Sequence, residues 1–249
     1  MSSHHFDTRL SRISTLWSLI SQAHHVAGDE VGAAQRQLLE RYSNAIRRYL
    51  LGALRDPDAA EDLFQDFTFR FLSGDLRRAD PERGRFRDYV KGVLFHLIAD
   101  YHKKRQRLPR QLAPEHPDPA VVCEPDADQE QAFLASWRDE LLARTWTALA
   151  AADQANNQYF HAVLRFRADH PELRSHEMAE QLSGQLGRPL TAAGVRKTLE
   201  RARDRFADLL LDEIAQALTN PTPDQLEEEL IDLNLLEHCR PALERRRGG

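Results

Sequence analysis

The chain has 249 residues, 41% of them hydrophobic and 29% charged, a balance that fits one large or two small globular domains and excludes a disordered chain. Its formal net charge of −5 supplies no global field toward nucleic acid, so any DNA binding has to come from local clustering. Cys123 and Cys239 are the only cysteines and lie far apart, which excludes a disulfide framework and a cysteine-based zinc site.

Residues 1–30 read as a helical extension, with Ile13, Leu16, Trp17, Leu19 and Ile20 as its apolar positions. The first residues carry no apolar secretory core, and no segment approaches the roughly 20 apolar residues of a membrane span. The expected location is the cytoplasm, with no membrane partner. His4-His5 and His24-His25 lack carboxylate or cysteine partners at ligand spacing, so neither a metal nor another cofactor is expected.

From residue 31 to 108, apolar residues recur at steps of three and four, the period of amphipathic helices. Leu38, Tyr42, Ile46 and Tyr49 form one stripe, Leu63, Phe67 and Phe71 a second, and Val90, Leu94, Leu97, Ile98 and Tyr101 a third. Asp56-Pro57 introduces the helix bearing Asp58, Glu61, Asp62, Gln65 and Asp66. Carboxylates in a first turn complement the helix dipole, and the same residues spread over a surface free to dock a partner. Downstream, Arg77, Arg78, Arg83, Arg85, Arg87, Lys91, Lys103, Lys104 and Arg105 interleave with Phe86, Tyr89, Phe95 and Tyr101. A positive surface with aromatic rings suits single-stranded nucleic acid; the rings equally suit a core.

Residues 109–130 break the period with Pro109, Pro114, Pro117, Pro119 and Pro125 among acidic residues, the pattern of an extended linker. Helical spacing returns over 131–218, beginning with Phe133, Trp137 and Leu141. A short helix capped by Ser175 is broken by Gly184, Gly187 and Pro189, and Thr191 caps a longer one. There Val195, Leu199, Ala202, Phe206 and Leu209 share one face, apart from Arg196, Lys197, Glu200, Arg201 and Arg203. A short helix followed by a longer one with a basic face matches a helix-turn-helix, and a basic face is also an ordinary solvated one. Residues 219–249 form an extension in which Thr222 and Pro223 start a short acidic helix from Leu226 to Leu236. No nucleophile elbow, phosphate loop or metal-binding helix motif is present, so no enzymatic activity is expected. The fold class is all-α: two small helical domains joined by a flexible linker.

Asp58-Ala-Ala-Glu-Asp-Leu-Phe-Gln-Asp66 resembles the segment by which sigma-70 family factors dock on the largest subunit of bacterial RNA polymerase. Phe86-Arg-Asp-Tyr-Val, with Asp100-Tyr-His-Lys-Lys-Arg105, resembles the adjoining segment that opens the −10 promoter element. Glu177-Met-Ala, Val195-Arg196, Leu199 and Arg201-Ala-Arg203 resemble the helix-turn-helix that reads the −35 element. Two such regions and a variable linker are similar to the extracytoplasmic-function (ECF) class. The resemblance implies core polymerase and promoter DNA as partners, with an anti-sigma protein or other regulator as a further one. It assigns Asp58, Glu61, Asp62, Gln65 and Asp66 to polymerase. Arg85, Arg87, Tyr89, Lys91, His96, Lys103, Lys104 and Arg105 go to the −10 element, and Thr191, Arg196, Lys197, Glu200 and Arg201 to the −35 element. Tyr89 stands where tryptophan is usual and His96 where asparagine is common. The connection from Ala179 to Val195 is about half a dozen residues longer than the family pattern, which requires a bulge or an added helical turn. Two other readings stay open: a free-standing helix-turn-helix regulator, and a helical interaction scaffold.

Overall fold

The computed structural model describes Trp17, Ile20 and residues 29–73, 85–106, 127–218 and 221–248. Among these, secondary structure is helical, with one isolated antiparallel bridge between Arg85 and Leu218 and no strand. The helices are α1 (Asp29–Leu54), α2 (Pro57–Leu72), α3 (Phe86–Gln106), α4 (Ala127–Asn156), α5 (Phe160–Asp169), α6 (Ser175–Leu186), α7 (Ala192–Ala215), α8 (Pro223–Asp232) and α9 (Leu236–Gly248). They belong to two compact units: Met1–Glu140 with Ala215–Gln225, and Leu141–Ile214 with Leu226–Gly249.

In the first unit the stripe of α1 is the core: Leu38, Tyr42, Ile46 and Tyr49 are buried. Arg55 closes α1 in the left-handed region at φ +53°, an uncommon conformation for a non-glycine residue. Asp56 then caps α2, its side chain accepting from Ala59 N at 3.2 Å, with Pro57 at the first helical position. Leu63, Phe67 and Phe71 of α2 face inward. Gln35, buried on α1, donates to the carbonyl of Phe71 at 2.8 Å and satisfies one orphan acceptor at the end of α2. The start of α3 is seated by the segment after α7, where Phe86 N donates to Ala217 O at 2.9 Å. Trp17 and Ile20 are also buried, with the Trp17 ring 5.2 Å from Phe86 and 5.7 Å from Tyr89.

The units divide between residues 140 and 141, ten residues beyond the boundary expected from spacing. Phe133 and Trp137 close the first core: Trp137 stacks on Tyr42 at 4.3 Å and 5°, and Phe133 meets Tyr49 edge-on at 5.3 Å. Arg48 pairs with Asp139 at 3.6 Å and with buried Glu140 at 3.3 Å. Helix α4 begins at Ala127, inside the segment read as linker; the prolines from 109 to 125 lie outside the described residues.

In the second unit, Asn157 ends α4 in the left-handed region at φ +51°. Asp153 then caps α5, its Oδ2 accepting from His161 N at 2.7 Å. This carboxylate is only 8% exposed, so removing it strands a helix-terminal donor. Asp153→Ala is expected to cost about 1 kcal/mol and lower Tm by roughly 2–4 °C; thermal melts that coincide with wild type would refute the cap. Arg167 fixes the next turn by donating to the carbonyls of His170, Pro171 and Leu173 at 3.4, 3.1 and 2.6 Å. Val163, Phe166, Met178, Ala179, Leu182, Val195 and Leu199 then form one core across α5, α6 and α7.

Two sequence expectations are corrected here. Helix α6 starts one residue earlier than expected: Arg174 is the N-cap residue, and Glu177 accepts from Arg174 N at 2.6 Å, so Ser175 lies inside the helix. The helix also runs through Gly184 to Leu186 and ends at Gly187, φ +62°. A glycine lowers helix propensity by about 1 kcal/mol without forbidding helix, and buried Leu182 with half-buried Leu186 holds this turn against the core. Ser183 bridges the turn, donating to Ala179 O at 2.5 Å and accepting from Leu190 N at 2.9 Å. Thr191 caps α7 by accepting from Gly194 N at 3.0 Å.

The tail holds two helices, not one. Thr222 caps α8, accepting from Gln225 N at 3.3 Å, and Asn234 at φ +55° reverses the chain into α9. Helix α9 contains Pro241, which removes one helical hydrogen bond. Buried Cys239, Ala242 and Leu243 nonetheless anchor it. Burial pushes the Cys239 thiol up to about 11, so it stays protonated and poorly nucleophilic near neutral pH.

Candidate polymerase- and DNA-binding surfaces

Helix α2 buries one stripe and turns a mixed acidic and apolar face outward. Asp58, Asp62, Gln65 and Asp66 are exposed, and the three aspartates make no ion pair among the described residues. Glu61 is half-buried and engaged by Arg47 of α1, which donates Nε–H to Oε2 at 3.0 Å and Nη2–H to Oε1 at 3.2 Å. The Arg47 guanidinium hydrogen-bonded to Glu61 holds its carboxyl below the usual range. That guanidinium also lies 3.6 Å from the centroid of the Phe64 ring, so Arg47 is clamped from two sides. Beside this pair Phe69 is 73% and Leu72 41% exposed. Arg47, Glu61, Gln65, Phe69 and Leu72 line a shallow groove of about 480 Å³. Arg47, Phe69 and Leu72 are not among the residues assigned from sequence. Phe69 was findable, since it sits two residues from both Phe67 and Phe71, about 200° around the helix from each.

The residues assigned to the −10 element divide. Tyr89 is 5% exposed and Arg87 3%, so both lie in the first core, Tyr89 among the rings of Trp17, Phe71 and Phe86. This corrects the expectation of an exposed stacking ring and an exposed arginine on α3: neighbouring rings enclose Tyr89, and Arg87, about 200° around the helix from it, is buried as well. Lys91 is half-buried and pairs with Glu130 at 2.6 Å, and Arg85 is half-buried beside the bridge to Leu218. His96, Lys103 and Lys104 are exposed at steps of seven and one, close to one face of α3. Arg105 is half-buried and donates to the Tyr101 hydroxyl at 3.2 Å. Arg77, Arg78 and Arg83 lie outside the described residues.

In the second unit the residues assigned to the −35 element are together and outward. Thr191, Arg196, Lys197, Glu200 and Arg201 are exposed along the first turns of α7, followed by exposed Arg203 and Arg205. None of these five basic side chains pairs with a carboxylate among the described residues. The opposite face, Val195, Leu199 and Ala202, is buried.

Among the described residues no group of three or more His, Cys, Asp or Glu is placed to hold a metal ion, and no helix is long and apolar enough to cross a membrane. The outward faces offer carboxylates, guanidinium groups, ammonium groups and one apolar edge, a chemistry of docking and of phosphate contact. Residues 38–108 match the model of Sigma-70 region 2. The match spans α2 and α3, less than a third of the chain, and supports a region similar to that of sigma-70 family factors in this part of it. Factors of this family are not enzymes. No curated protein and no solved structure matches the chain.

Proposed function

We propose that the chain is an ECF-type sigma factor that binds core RNA polymerase and directs it to promoters. The observation that supports this most is the outward face of α2 within the matched segment: exposed carboxylates at Asp58, Asp62 and Asp66, without an ion pair among the described residues, beside exposed Phe69 and Leu72. A charged edge next to an exposed aromatic is a suitable docking site, since carboxylates steer encounter and an apolar anchor supplies affinity. Glu61 contributes by holding Arg47 at the rim of that site.

In this reading His96, Lys103, Lys104 and Arg105 of α3 meet the −10 element. Helices α6 and α7 act as the helix-turn-helix on the −35 element, with Thr191, Arg196, Lys197, Glu200 and Arg201 at the groove. The extra helical turn of α6, ending at Gly187, absorbs the longer connection. Phosphate contacts by the unpaired arginines give affinity that falls with salt, and base contacts give specificity. The factor acts in the cytoplasm of a bacterium, where an anti-sigma protein or other regulator controls its access to polymerase.

The deciding experiment is in vitro transcription with the purified chain and bacterial core polymerase on its own upstream DNA. Asp62→Lys with Asp66→Lys reverses two exposed, unpaired charges and leaves the Arg47–Glu61 pair intact. Initiation from a discrete start is expected with wild type, and at least about a tenfold weaker complex with the variant. DNA binding without any complex with core polymerase would instead favour a free-standing regulator.

A further inference from the structure

Helix α7 is segregated by charge. Toward its start Arg196, Lys197, Arg201, Arg203 and Arg205 are exposed and unpaired among the described residues. Toward its end Asp204, Asp208 and Asp212 recur at steps of four, on one face. All three aspartates are paired, and by two residues of the tail helix. Arg245 donates to Asp204 Oδ1 and Asp208 Oδ1, each at 3.1 Å. Arg246 donates to Asp212 Oδ1 at 2.7 Å and to the backbone carbonyl of Asp208 at 2.9 Å. Arg247 turns to Glu227 of α8 at 2.5 Å.

We propose that Arg245 and Arg246 of α9 are positioning residues for DNA binding: they neutralise the acidic stripe of α7 so that its basic turns present an uncancelled positive field to the duplex. The inference rests on the DNA-binding reading of α7. Distance makes the stripe matter. At 1.5 Å of rise per residue, Asp208 is about 7.5 Å along the axis from Arg203, within one Debye length at physiological salt, about 8 Å. Bare, the three carboxylates would subtract directly from the field of Arg201, Arg203 and Arg205. As a source of stability the Arg245 pair with Asp204 is weak, because both side chains are about half exposed and exposed pairs contribute little; Arg246 is 17% exposed, but its partner Asp212 is 62% exposed. Cys239, Ala242 and Leu243 already hold α9 in place through apolar contact. Neutralisation is therefore the distinctive contribution of the two arginines.

The test compares full-length chains by fluorescence anisotropy on a labelled random-sequence duplex across a salt series, with a thermal melt of each. Arg245→Ala with Arg246→Ala should weaken binding at least about threefold at low salt, and the difference should shrink as salt rises. Its Tm should stay within a few degrees of wild type. Adding Asp204→Asn, Asp208→Asn and Asp212→Asn to that variant should restore the lost affinity. Unchanged binding in the double alanine variant overturns the inference. So does an equal loss from Arg165→Ala with Arg240→Ala, two exposed arginines of the same unit paired with other carboxylates, Asp169 and Glu237, which would mean that only net charge counts. Absence of duplex binding by wild type at low salt is a different result: it overturns the DNA-binding reading of α7 itself.

Discussion

Trp137→Ala is expected to cost the first unit about 3–5 kcal/mol, the range for deleting a large buried aromatic. The indole is 1% exposed and meets three rings: it stacks on Tyr42 at 4.3 Å and approaches Phe133 at 5.8 Å and Phe86 at 5.9 Å, while Phe133 in turn abuts Tyr49. Losing it opens a cavity where α1, α3 and α4 converge. Hydrogen exchange should accordingly show protection falling first in α1, α2 and α3. If it fell first in α5, α6 and α7, Trp137 would belong with the second unit, as spacing alone suggests, and the division at Glu140 would be wrong. Trp137→Phe keeps a ring in the stack and removes a buried indole N–H that has no acceptor among the described residues. A stranded buried donor costs about 1–3 kcal/mol, so the phenylalanine variant should lose far less than the alanine one.

Phe69→Ser should behave in the opposite way, leaving the fold intact and removing the docking. Its ring is 73% exposed and contributes no core contact, so Tm should match wild type, as for most surface substitutions. Affinity for core polymerase should fall by about 2 kcal/mol, the scale of an aromatic hot spot, or roughly thirtyfold in Kd. Leu72→Ser, on the same edge and 41% exposed, should add a smaller loss. Retention of full affinity by both variants would mean that polymerase engages another face, and the assignment of α2 as the docking helix would fall. A lower Tm would point to a structural role that the exposure does not suggest.

Much of this architecture is legible in the chain. The stripes Leu38/Tyr42/Ile46/Tyr49 and Leu63/Phe67/Phe71 are buried where the 3.6-residue period places them. The helix starts at Asp56-Pro57, Thr191 and Thr222 are capped by those side chains. Local chemistry dictates both, because a stripe needs only spacing and a cap needs only a side-chain oxygen three residues from a free N–H. The outward carboxylates of α2 and the basic turns of α7 follow from the same period.

What covers each stripe was decided only by the tertiary structure. Periodicity marks an aromatic ring near a basic cluster without saying whether solvent or another helix lies over it; Trp17, Phe71 and Phe86 enclose Tyr89, and Arg87 is buried too. Gly184 inside α6 and Pro241 inside α9 defy local propensity because neighbouring apolar residues hold those turns against a core. The pairs Arg48–Glu140 and Arg245–Asp208, 92 and 37 residues apart, leave no trace in local spacing. Sequence determines which face of each helix is apolar and which is charged, since that depends on neighbours a turn away; which faces meet depends on long-range packing, and that alone set the boundary at Glu140 and the charge ladder on α7.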